Sequence, residues 1–251
     1  MTYILVTNDD GVQAPGLQAL AEAMQSLGTV VVVAPAVNQS ATGHKKTIYG
    51  EVKYQETTLA NGMSALAIFS SPADCIGLTA MGLRDWPPDL VVSGINRGEN
   101  LSQDITSSGT VTAAFEAVLH GVPALAVSLA NRNASTVEDY RIAGQIALRV
   151  AQSMLQHKLP AQTILNLNVP NGTPKGLRIT RQGTRIFREE LEFEEGLVRV
   201  VGEPPTGLLD EIGTDLWAIE TGYASVTPIH LDMTAHRFMS DLASWDIEIK
   251  D

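Results

Sequence analysis

Short apolar runs rich in β-branched residues recur along the first two-thirds of this chain, at residues 3–7, 29–34, 89–93, 124–129 and 164–169. Segments with helical spacing separate them. After the first run, Leu17, Leu20, Met24 and Leu27 mark one helix face, and Gly28 suits its end. Residues 109–120 and 138–156 read as further helices, and Pro72 opens another through about residue 81. Strands with no polar alternation must bury both faces. A chain that keeps alternating such strands with helices therefore builds a parallel sheet covered on both sides. The expected fold class is α/β, a Rossmann-like parallel sheet flanked by helices.

Two further strands, 48–54 and 65–70, bracket a loop containing Asn61-Gly62. Beyond about Gly172 the texture changes. Short β-rich runs at 177–180, 197–201, 216–219 and 224–227 are separated by Gly, Pro and acidic residues, and a final helix is expected near 240–245. The expectation is an α/β core over residues 1–172 and a β-rich C-terminal extension over 173–251. That extension has little core of its own, so it is expected to close back on the core and to pack against another subunit.

The first strand runs directly into Asn8-Asp9-Asp10-Gly11. Neighbouring side chains on an extended backbone point in opposite directions, so two adjacent carboxylates converge only where the chain turns, and Gly11 supplies the turn. Such a pair needs a cation, a shared proton or water between its charges. Other polar loops follow other strands: Asn38-Gln39-Ser40, and the run from Ser93 through Asn96 to Asn100. A fourth, from Asp104 through Ser107 to Thr110, opens the next helix. In an open parallel sheet these loops share one edge, where ligands bind.

Asp9, Asp10, Ser40 and Asn96 offer only oxygen ligands with two formal negative charges, which suits one hard divalent ion, Mg²⁺ or Mn²⁺. Ser107, Ser108, Gly109 and Thr110 form a phosphate-binding turn at a helix start, where free N–H groups, hydroxyls and the helix dipole meet. Taken singly, Asp-Asp-Gly is a turn and Ser-Gly-Thr a cap. Their placement at successive strand ends is what argues for a composite site. His44 is within reach of it but reads as a solvated loop residue, Cys75 reads as a small buried hydrophobe, and Asp74 as a cap of its helix.

The net charge of −11 argues against nucleic acid as a partner. The single cysteine, Cys75, excludes an internal disulfide and a cysteine metal cluster. No stretch approaches the roughly 20 apolar residues of a membrane span, so a cytoplasmic location is expected. The first turn lacks G-x-G-x-x-G and the chain lacks G-x-x-x-x-G-K-[ST], which removes the usual nucleotide cradles. Aspartyl-phosphate chemistry with Asp9 as nucleophile is disfavoured, because Gly11 and Val12 stand where that class places a second Asp.

Together these motifs resemble the SurE family, the survival protein E nucleotidases. The resemblance is carried by the run from Ile4 to Gly11, by Ala34-Pro35 with Asn38-Gln39-Ser40, and by Pro72-Ala73-Asp74-Cys75. It continues through Ser93 to Asn100, through Ser108-Gly109-Thr110-Val111, and to the run from Gly222 to Pro228. It implies a metal-dependent phosphatase acting on nucleoside 5′- and 3′-monophosphates and on short polyphosphate. Metal ligands carry over onto Asp9, Asp10, Ser40 and Asn96, and the phosphate turn onto Ser108, Gly109 and Thr110. Homodimers or homotetramers with exchanged C-terminal segments are implied as well. The mechanism expected on this site is attack by water activated by the cation, with Asp9 as the catalytic carboxylate and Asp10 as the alternative. The chain departs from the family's pattern over Ala41-Thr42-Gly43-His44-Lys45-Lys46, at Ser70-Ser71-Pro72, and at Ser107, where a tyrosine ring is common.

Overall fold

The computed structural model describes residues 1–245 and 247. Its strands are β1 (Tyr3–Thr7), β2 (Thr29–Pro35), β3 (Tyr54–Thr58), β4 (Ser64–Ile68), β5 (Leu90–Arg97) and β6 (Ala124–Ala130). They continue with β7 (Thr163–Pro170), β8 (Leu177–Ile179), β9 (Arg185–Glu194), β10 (Leu197–Gly207) and β11 (Ala224–His230). The helices are α1 (Pro15–Met24), α2 (Pro72–Leu78), α3 (Gly109–Leu119), α4 (Arg141–Gln156), α5 (Asp215–Glu220) and α6 (Met239–Ala243). Nine strands form one sheet in the order β3-β4-β2-β1-β5-β6-β7-β11-β8. Pairing is parallel from β4 through β7, while β3 and β11 run antiparallel to β4 and β7. The α/β expectation holds.

Alternation within the strands divides the core. Ile4 and Val6 of β1, Val32 and Ala34 of β2, and Leu90 and Val92 of β5 face α1 and α4, where Leu17, Leu20, Met24, Ala147 and Met154 meet them. Leu5, Val33 and Val91 face the other way, onto Cys75 and Ile76 of α2 and Val111, Ala114 and Phe115 of α3. Both sheet faces are covered, so neither carries the polar alternation of a half-exposed strand. At about 25 cal/mol per Å² of apolar area, each fully buried Leu, Ile or Val stabilises the fold by roughly 1.5–3 kcal/mol.

Several local expectations shift. The strand expected at 48–54 begins only at Tyr54, and residues 48–53 are irregular. The run 216–219 is helical. Thr214 caps it by accepting a bond from the Trp217 N–H at 3.1 Å, and a capped turn with Leu216 buried outweighs the strand propensity of so short a run. The strand expected at 89–93 continues through Arg97, so Asn96 lies within β5. The helix opened by Pro72 extends past residue 81, as a wider turn over Thr79–Leu83. Ser71, not Asp74, caps α2.

The C-terminal region splits between two structures. β11 and β8 complete one edge of the main sheet. β9 and β10 form a separate antiparallel ribbon. Among the described residues no helix is long and apolar enough to cross a membrane.

Candidate active site

β1 ends at Thr7 because Asn8 turns the chain: its side chain accepts from the Gly11 N–H at 3.3 Å and donates to the Gly11 carbonyl at 3.0 Å. Gly11 has φ +103°, and a Cβ there would lie 3.1 Å from the Val37 backbone. Glycine therefore lets the loop after β2 approach. That loop is tied down by Gln39 N–H on the Asp9 carbonyl (2.7 Å) and by Asn38, whose amide donates to Asp10 Oδ1 at 3.3 Å. The Asn38 side-chain oxygen in turn accepts from Ser40 N–H at 2.9 Å. One asparagine thus links Asp10 to the backbone of Ser40.

Asp9 is buried at 3% exposure, yet both of its oxygens are engaged. Thr110 Oγ1 donates to Oδ1 at 2.6 Å and Thr110 N–H donates to Oδ2 at 3.1 Å. Burial pushes its pKa up to about 6, against the bonds from Thr110 and with the help of Asp10. Gly109 makes this approach possible, since a Cβ there would stand 2.8 Å from the Asp9 Cβ. Asp10 is half-buried. Burial raises its pKa too, while Arg97 N–H donates to its Oδ2 at 3.0 Å.

Asp9, Ser40, Asn96, Ser107 and Ser108 line one pocket of about 250 Å³. Asp10 faces an adjoining cleft with Asn38 and Tyr140, and Arg97 borders both. Asn96 gives its Nδ2 to the Gly98 carbonyl at 2.9 Å, so its Oδ1 is the atom left to meet a ligand. Gly109 and Thr110 support the pocket from behind without lining it. The Thr110 N–H, expected to be free at this helix start, is engaged by Asp9, and the next N–H, of Val111, donates to the Ser108 side chain at 3.1 Å. A buried carboxylate demands donors, and the nearest helix start supplies them.

Among the described residues no three His, Cys, Asp or Glu side chains gather as a metal cluster. The donors present are two carboxylates with neutral side-chain oxygens, a set that suits Mg²⁺ or Mn²⁺ better than Zn²⁺, which usually recruits His or Cys. His44 does not enter the pocket. Its Nε2 lies 2.9 Å from Glu116 Oε2, beside Lys46 at 2.5 Å and His120 at 3.0 Å from Oε1. Burial alone would raise the Glu116 pKa, but the bonds from His44 and Lys46 win and hold it at about 2.

Sequence reasoning missed the far wall. Arg185, Phe187 and Pro205 of the β9–β10 ribbon line the pocket with Arg132. Arg185 is 6% exposed and lies 2.8 Å from Glu99 and 3.2 Å from Asp104. No local pattern announces these residues, because a long-range fold-back of the ribbon brings them there.

Comparison with known proteins agrees with the motifs. A model of the family described as Survival protein SurE matches residues 4–189. The chain is 43% identical to a Chloroflexus aggregans protein named 5′-nucleotidase SurE, over 98% of this chain and 100% of that one. It is 46% identical to a Syntrophotalea carbinolica protein of the same name, over 97% of each. The crystal structure of the SurE protein from Aquifex aeolicus superposes with a TM-score of 0.83 at 37% identity, over 96% of this chain and 98% of that one. The chain belongs to the SurE family.

Proposed function

We propose that this pocket hydrolyses nucleoside monophosphates to nucleoside and phosphate. The chain is a 5′-nucleotidase, the name borne by the relatives that match it nearly end to end. Activity on 3′-monophosphates and on short polyphosphate belongs to the same reading, since the pocket is open and the reacting group in each is a phosphoryl group. The observation that carries the reading is Asp9, buried at the tip of β1 and oriented by Thr110 in a pocket shared with Ser40 and Asn96.

Asp9, Asp10, Ser40 and Asn96 would hold one divalent ion, Mg²⁺ or Mn²⁺. Bound there, it would supply positive charge for the phosphoryl oxygens and lower the pKa of water. Asp9 does the protein's own share of the chemistry by orienting the attacking water and accepting its proton at a carboxylate oxygen. The turn that opens α3 receives the phosphate at Ser107 and Ser108, where hydroxyls and the positive end of the helix favour the anion, while Gly109 and Thr110 stand behind them and hold Asp9 in place.

We place residues 1–172 as the catalytic core and 173–251 as an oligomerising extension. Support comes from the ribbon, where Leu191, Phe193, Val198 and Val200 are exposed and pair across the strands as Val200 with Leu191 and Val198 with Phe193. An apolar ribbon face of this kind is suited to a second copy of the chain. A homodimer or homotetramer with exchanged C-terminal segments, in the cytoplasm and without nucleic acid as partner, completes the reading. Phosphate release from a panel of 5′- and 3′-nucleoside monophosphates and polyphosphate tests it, first in EDTA and then with Mg²⁺ or Mn²⁺ added. Cation-dependent release from 5′-monophosphates is expected, and release that ignores EDTA would overturn the assignment.

A further inference from the structure

Most of the residues that line the pocket are polar or charged. Its floor and near wall carry Asp9, Ser40, Asn96 and the two serines before α3, while Phe187 is the one aromatic side chain lining it among the described residues. The Phe187 ring is 47% exposed at the rim of the pocket, so its apolar face is free to meet a ligand bound there. A nucleobase presents the flat, apolar face that such a ring would cover.

The ring's placement is built. Arg185 and Phe187 are two residues apart on β9 and so share one side of the strand. Arg185 holds that side against the pocket through Glu99 and Asp104, and its own N–H donates to Gln103 Oε1 at 2.8 Å. Gln103 Nε2 donates to the Gly183 carbonyl at 3.2 Å, and Gln182 Nε2 to the Ser102 carbonyl at 2.9 Å. The start of the ribbon is therefore stitched to the turn of Ser102–Thr106, which leads straight into the phosphate-receiving serines. A ring fixed relative to that turn stands at a set distance from any phosphate bound there.

We propose that Phe187 is the specificity-determining residue for the nucleobase: its ring forms the stacking wall of the pocket, held in place by Arg185 as a positioning residue. The inference rests on the nucleotidase reading for the position of the phosphate. It makes nucleotides better substrates than the same phosphoester without a base, and purines, with the larger stacking face, better than pyrimidines.

The test compares AMP with ribose 5-phosphate, which keeps the ester and loses the base. For Phe187→Leu, which keeps apolar bulk without the ring, the ratio of kcat/KM for AMP to that for ribose 5-phosphate should fall about tenfold, through KM. Phe187→Trp should retain the ratio. Parallel loss on both substrates would assign the ring a structural role, and no change in the ratio would assign it none; either result overturns the proposal. If the wild-type enzyme releases no phosphate from either compound, the nucleotidase reading fails on its own. Calorimetric binding of AMP against ribose 5-phosphate to the same variants then decides the role of the ring.

Discussion

At the scale of single residues the account turns on Asp9. A carboxylate this deep costs several kcal/mol unless donors or a cation compensate it, and here Thr110 compensates both oxygens. Asp9→Asn keeps the shape and removes the charge and the proton acceptor. Turnover of AMP at saturating Mn²⁺ should fall by roughly 100- to 10,000-fold, and a near-normal rate would remove Asp9 from the chemistry. Gly109→Ala probes the same contact from behind. Its Cβ would meet that of Asp9 at 2.8 Å, so overpacking should destabilise the protein by about 1–3 kcal/mol in urea unfolding. The same variant should lose activity by displacing Asp9. Asp9, Asp10, Ser40 and Asn96 were all legible in the sequence as oxygen donors at strand ends. The Thr110–Asp9 pairing was not, because it depends on how closely α3 packs against β1.

At the scale of elements, the loop bearing Ser40 is held from its far side. Asp74 accepts from Thr47 N–H and Oγ1, both at 2.8 Å, and Glu116 of α3 gathers His44, Lys46 and His120. His44 and Lys46 of the basic run at 44–46 thereby anchor the loop on α3. The Glu116 pKa is depressed to about 2 in the fold. Its stabilising contribution is therefore present above pH ~4.5, its ordinary value, and is lost as pH falls from there towards 2. Wild type should exceed Glu116→Gln in the unfolding free energy obtained from urea titration at pH 6, by about 1–2 kcal/mol because the cationic partners are partly exposed. That gap should narrow as the pH is lowered to 3. A gap that persists unchanged at pH 3 would assign the effect to packing. Parallel-sheet strands and long helices followed from periodicity alone. The misread elements, 48–54 and 216–219, are short runs whose state is fixed by caps and neighbours beyond their own sequence.

At the scale of the whole molecule, the sheet gathers its loops on one edge and the β9–β10 ribbon closes the far side of the pocket they form. The ribbon's reach was illegible in the sequence. Residues 197–201 read as one short strand, and β9, with four glutamates along its length, did not read as a strand at all. Its exposed apolar face carries a prediction about assembly. Leu191→Glu with Phe193→Glu should shift the protein to a smaller species in light scattering at equal concentration, and an unchanged mass would exclude this face as an interface. The central claim concerns the cation at the strand tips, and metal reconstitution tests it most directly. EDTA-stripped protein is titrated with Mn²⁺ while bound metal and phosphate release from AMP are followed together. The account predicts that activity rises with the first equivalent per chain and that Asp9→Asn loses both signals. Full release from AMP by the stripped protein, or tight binding undiminished in Asp9→Asn, would contradict it.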